Sequence, residues 1–118
     1  MKPVIFLSAF LLGMQFSYSQ DNKTYTVYDY LEVAQKANWV PRKDGKHLGS
    51  YKLFEKSFIE TCKDYRAIPQ MTLDGNYFCE KNHDFLFEQY NKFYRPVSKE
   101  YWDANCPLLY ILMYLDRP

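Results

Sequence analysis

From Thr26 onward, apolar positions recur at helical spacing. Val27, Leu31 and Ala34 fall four and three residues apart, with Tyr28 and Gln35 beside them, and predict a first helix. Thr26 can cap it through its hydroxyl, and Asp29 lies in the first turn, where a carboxylate favours the helix dipole. Trp39-Val40-Pro41 ends it, because the residue before a proline is steered out of the helical region. Asp44-Gly45 then supplies a turn within the charged loop PRKDGK. A second helix follows, whose stripe runs through Leu48, Tyr51, Phe54 or Glu55, Phe58, Cys62 and Tyr65, widened by Ile59. Lys52, Lys56, Glu60, Lys63 and Asp64 form its solvated side.

Pro69 closes that region and opens AIPQMTLDGNYFCEK, which reads as a long loop. Its Asp74-Gly75 pair stands between MTL and YFC, as in a short hairpin. Long loops in small domains often carry function, which singles out Asp74, Asn76 and Tyr77 as candidate binding residues. Asn82 can cap a further helix on which Leu86, Tyr90, Phe93 and Tyr94 share a face, broadened by Phe85 and Phe87, before Arg95-Pro96 stops it. Ser98 caps SKEYWDAN, which Pro107 kinks or ends; Pro107 also fits the first turn of a final apolar helix, with Cys106 just outside it. In that last segment Leu108, Ile111, Leu112 and Leu115 make one stripe while Leu109 and Met113 line another side. A helix apolar nearly all round belongs in the core, with Tyr110 and Tyr114 at its edge. From Pro107 to Leu115 it covers about 14 Å, under half of the ~30 Å hydrocarbon core of a bilayer. The expected fold is all-α: about four helices around one core, with the 67–81 loop or hairpin as its irregular part. An α+β fold is the alternative.

The first residues have a different pattern. Lys2, the apolar run from Val4 to Gly13, and Ser17 and Ser19 ahead of Gln20 are laid out as a secretory signal peptide over 1–19. The expected compartment is therefore the periplasm or the extracellular space, with residues 20–118 as one domain. Without Lys2, the 15 basic residues of the chain fall to the number of the 14 acidic ones. A neutral domain with interspersed signs lacks the basic patch that nucleic acid requires. Aromatic residues are abundant: even after Phe6, Phe10, Phe16 and Tyr18 are set aside, Tyr alone exceeds the needs of so small a core. Some Tyr must reach the surface, as at a recognition face. Asn22-Lys23-Thr24 matches a glycosylation acceptor.

Catalytic motifs are missing. The four glycines form no phosphate loop, and there is no GxSxG, HExxH or CxxC. His47 lies in a charged loop and reads as solvated. Cys79 and His83 could form a nucleophile–base pair or two metal ligands, which would make the chain a small secreted enzyme or redox protein. Two ligands do not hold zinc, however, and a catalytic thiolate must stay free in an oxidising compartment. The preferred reading is a non-enzyme without metal or cofactor. Three cysteines, Cys62, Cys79 and Cys106, imply one disulfide and an odd thiol. An up-down bundle places Cys62 and Cys79 at one end and favours that pair, whereas Cys62 and Cys106 meet if the long loop crosses the bundle.

YKLFEKSFIETCKDY resembles the Cys-bearing helix of the type VI secretion amidase immunity family. LFEQYNKFYRPVSKEYWDANCPLLYILMYLD is similar in layout to that family's final part, although Cys79 has no counterpart there. The resemblance implies an all-α periplasmic inhibitor that binds a secreted peptidoglycan amidase, with Cys62 and Cys106 as the matching pair. An exported helical binding protein, with enzyme inhibition as its sharpest form, is the resulting expectation. A self-associating envelope protein, homodimeric through its Tyr face, is the further option.

Overall fold

The structure, a computed structural model, describes residues 25–63 and 67–117. The expected leader, Asn22, Asp64 and Tyr65 lie outside the described residues. The described residues form four helices: α1 (Val27–Lys36), α2 (Tyr51–Thr61), α3 (Ala67–Phe93) and α4 (Lys99–Asp116). No strand occurs among the described residues, so the fold is a small all-α bundle rather than α+β. α4 is its centre: α3 packs along it most extensively, α1 packs on it next, and α2 joins through α1.

Local chemistry explains where the helices start. Thr26 Oγ1 accepts from the Asp29 amide at 3.2 Å while the Asp29 carboxylate accepts from the Thr26 amide at 2.8 Å. This reciprocal box satisfies two amides that the first turn of α1 leaves free. Asn38 ends α1 in the left-handed region (φ 52°), which Asn tolerates better than most residues. Ser98 Oγ accepts from the Tyr101 amide at 3.0 Å and opens α4 as its sequence position predicts. The inward faces are rotated from expectation in α1 and α2. α1 buries Tyr30, Val33 and Ala34, while Tyr28 is 77 % exposed. α2 buries only Phe54 and Phe58. Leu48 precedes that helix, exposed and in the left-handed region, and Ile59 is exposed too.

The expected loop or hairpin at 67–81 is instead helical, the first segment of α3. Pro69 stands in the first turn, where its missing N–H would have had no helical acceptor. Gly75 is not a turn residue but a contact residue. A Cβ there would meet the Pro107 carbonyl oxygen at 2.9 Å, so glycine is what lets α3 approach α4 this closely. Asn82, expected to begin a separate helix, is non-helical (φ −132°, ψ 33°) and divides α3 into two helical segments that meet at a kink. Across it, Trp102 Nε1 donates to the His83 carbonyl at 3.2 Å.

Pro107 neither ends nor begins a helix; it lies within α4. It forfeits one helical hydrogen bond, and the packing around it offsets that loss. Trp102, Leu109, Ile111 and Leu112 are all buried to 2 % exposure or less, so α4 is the core helix its composition indicated. Next to the Gly75–Pro107 contact, Cys79 and Cys106 form the disulfide, with Cα atoms 6.1 Å apart. Both expected pairings, Cys62–Cys79 and Cys62–Cys106, are overturned for one reason. Once 67–81 is helical, Cys79 lies on the face of α3 turned toward α4, one turn beyond Gly75. Cys62 caps the C-terminus of α2 as a half-buried free thiol whose pKa burial raises.

Two stability measurements follow. Gly75→Ala gains helix propensity worth ~1 kcal/mol, yet it should lose about 1–3 kcal/mol net because the methyl meets backbone. Urea titration that found the variant more stable would refute the close contact. Replacing Cys79 and Cys106 together by Ala opens a link across 27 positions and should cost about 3–4 kcal/mol in the chain-entropy model.

Candidate functional site

Asp74, Asn76 and Tyr77 sit on the exposed side of α3, not on a loop. Asp74 accepts from Gln70 Nε2 at 2.9 Å, one helical turn away. Tyr77, 54 % exposed, carries the Lys81 ammonium 5.8 Å from its ring centroid and packs edge-on against Phe78 at 5.1 Å. Phe78 in turn meets Tyr110 of α4 at 5.4 Å, and Tyr110 meets Tyr114 at 6.2 Å. Helical spacing thus carries an aromatic ladder from α3 across to α4 and along it. Tyr77 belongs to this ladder, and Asp74 acts electrostatically on Tyr110, one of its rings.

The ladder ends in a cleft of about 200 Å³ between the C-terminal parts of α3 and α4. Leu86 and Phe93 come from α3, and Tyr110, Met113 and Tyr114 from α4. Its two charged lining residues are guanidiniums: Arg42 stands 4.4 Å from the Phe93 ring centre and Arg117 4.5 Å from that of Tyr114. Arg42 is oriented from outside by Asp44, with contacts of 2.8 and 2.6 Å, and that pairing holds the Asp44 carboxyl below the usual carboxylate range. A second hollow of about 240 Å³ lies between α1 and α4, lined by Asp29, Glu32 and Tyr101 among others, and is more polar.

Arg42 is placed by a buried carboxylate. Asp116 is fully buried at the end of α4, where its side chain accepts from the Arg42 amide at 2.8 Å and the Tyr94 hydroxyl at 2.8 Å. His47 Nδ1 faces it at 3.4 Å, and the Lys46 amide donates to its carbonyl at 2.8 Å. Gly45 permits this closeness, since a Cβ would meet the Asp116 carbonyl oxygen at 2.6 Å. His47 is therefore not solvated: it is 5 % exposed and packs edge-on against Phe54. The loop's charged neighbours hid this in the sequence. A usable signal existed in the fourfold spacing of Leu108, Leu112 and Asp116, which puts the carboxylate on the buried stripe.

The thiol–imidazole candidate is occupied on both sides. Cys79 is in the disulfide, and His83 Nε2 lies 2.6 Å from Asp103, which Lys99 also contacts at 2.9 Å. These bonds lower the Asp103 pKa, Lys99 first and His83 second, and the His83 bond ties α3 to α4 on the side where Trp102 packs. No cluster of His, Cys, Asp and Glu suited to a metal ion occurs among the described residues, and no described helix is long and apolar enough to cross a membrane. No protein-family model matches the chain, nor does any curated protein or solved structure. Chemically, the arrangement offers a disulfide-braced helical face that carries a row of aromatic rings with cations over Tyr77, Phe93 and Tyr114.

Burial first, then the hydrogen bond to Asp116, raises the Tyr94 pKa far above its ordinary 10.0. Its contribution to stability is fully present below pH 10.0 and is lost as the pH rises beyond it. Burial raises Tyr30 and Tyr90 likewise. Ultraviolet titration should show these three hydroxyls missing from the reversible phase near pH 10 and ionising only with unfolding. Tyr94→Phe removes a donor from a buried carboxylate and should cost about 1–3 kcal/mol at neutral pH; a neutral result in urea titration would contradict the hub.

Proposed function

We propose that this chain is an exported helical binding protein that engages a protein partner through the α3–α4 face, with inhibition of a secreted cell-wall enzyme, in the manner of an immunity protein, as its most specific form. The observation that carries the reading is the connected ladder Tyr77–Phe78–Tyr110–Tyr114, a row of aromatic rings outside the core. Tyr77 and Tyr114 are about half exposed, and Phe85 and Leu73 stand out still further on α3. Rigid aromatic side chains on helices give large contact area at small entropic cost, as interface anchors do. The disulfide suits an oxidising compartment, which supports a periplasmic or secreted location together with the leader layout of residues 1–19. A secreted peptidoglycan amidase is the partner that the sequence resemblance favours. The reading needs no catalytic residue, metal or cofactor in this chain.

The test is co-purification from native extracts under mild conditions, comparing the parent chain with the Tyr77→Ala/Phe78→Ala variant. A stoichiometric partner is expected for the parent, with at least tenfold weaker binding for the variant at unchanged helical content. If the partner is an amidase, adding the parent chain should suppress its release of peptidoglycan fragments. Recovery of no stoichiometric partner, or of one held equally by the variant, contradicts the reading. A dimer of defined mass in sedimentation, lost in the same variant, would transfer the face to self-association.

A further inference from the structure

Resting on the reading that the α3–α4 face docks a protein, we infer that the cleft at its end is the specificity pocket and takes an aromatic side chain flanked by a carboxylate, from an acidic segment of the partner. The walls supply the apolar half of that requirement. Phe93, Tyr110, Met113 and Tyr114 enclose a space of about 200 Å³, of the order needed for one large side chain, and its lining is mainly apolar. Desolvated pockets of this kind hold the anchors that dominate interface energies.

The rim supplies the charged half. Both charged lining residues are arginines, Arg42 and Arg117, and no carboxylate lines the cleft. Each guanidinium lies over a wall ring; Asp44 already takes the Nε and Nη2 edge of Arg42, so Arg117 is the one placed to meet a carboxylate of the occupant. Arg42 already shares its charge with Asp44, but Arg117 makes no ion pair among the described residues. Lys92 lies 5.3 Å from the Phe93 ring centre and Lys46 shares the adjoining hollow with Tyr114 and Arg117, while Asp44 and the buried Asp116 offset Arg42 and Asp74 acts on Tyr110, so the uncompensated charge at the rim is that of Arg117. An occupant that was only apolar would leave the Arg117 guanidinium half desolvated and unpaired, at a cost to binding. The peptide form, rather than a free acid, follows from continuity: Phe78 contacts Tyr110 of the cleft wall and leads on to Tyr77, so the surface extends well past the space one small molecule fills.

The test uses the N-acetylated, C-amidated pentapeptide Gly-Asp-Phe-Asp-Gly, its Asn analogue and phenylacetate, titrated into isotopically labelled full chain by NMR. Amide shifts confined to Phe93, Tyr110, Met113, Tyr114 and Arg117 are expected. Affinity should fall at least tenfold for the Asn peptide and for Arg117→Glu, and stay within twofold for Lys52→Ala, exposed on α2 and not part of the cleft lining. Absence of shifts, shifts elsewhere, or equal affinity for the Asn peptide would overturn the assignment. Phenylacetate binding as tightly as the peptide would overturn it in favour of a small-acid site. Should the peptide fail while a natural partner is still captured through Tyr77 and Phe78, this inference alone falls; should capture fail as well, the docking face falls with it.

Discussion

α3 lies against α4 at a separation that only glycine allows, because any side chain at position 75 would collide with the backbone of Pro107. One turn further along α3, Cys79 is bonded to Cys106, the residue just before that proline. Close backbone approach and covalent cross-link thus coincide, and the remaining packing is arranged around them. Toward the kink, Trp102 reaches the His83 carbonyl and Asp103 reaches His83 itself. On the other side of the contact, Phe78 meets Tyr110 and the aromatic ladder begins. A bundle this small has little core to hold a long helix in register, and a cross-link beside the closest contact removes much of the freedom to slide.

The same contact makes α4 the shared wall of core and surface. Leu109, Ile111 and Leu112 face inward, whereas Tyr110 and Tyr114 face the groove that α3 completes. Rings placed on packed helices keep their positions, so the proposed partner would meet a preformed surface and lose less entropy on binding. Asp116 extends this order to the loop before α2, since its buried carboxylate draws Arg42 and His47 to the end of α4 and leaves the Arg42 guanidinium over Phe93. A buried carboxylate is costly unless its donors are in place, so the loop and the helix end hold each other.

What could be read from the sequence was what local chemistry decides. Thr26 and Ser98 begin helices because their side chains serve amides three residues away, and the apolar run after Cys106 lies in the core because nothing on it tolerates water. Pro69 and Asp74-Gly75 misled because breaker residues carry two meanings: they stop a helix when isolated and shape one when a neighbour presses against it. Only the tertiary contact with Pro107 distinguishes the two, and that contact is not encoded locally. The disulfide was misassigned as a consequence, since its geometry depends on whether 67–81 is helix or loop. His47 and Asp116 were missed because charge was read as exposure. Tyr77 lies on a helix face instead of a loop tip, and the aromatic ladder it starts is visible only once α3 and α4 lie side by side.

The joining of α3 to α4 is tested most directly by a non-reducing peptide map, with free thiols alkylated under denaturing, acidic conditions that block exchange. The account predicts one cross-linked pair containing Cys79 and Cys106, with Cys62 recovered in alkylated form. A cross-link from Cys62 to either of the others would contradict it, and with it the helical course of 67–81 alongside α4.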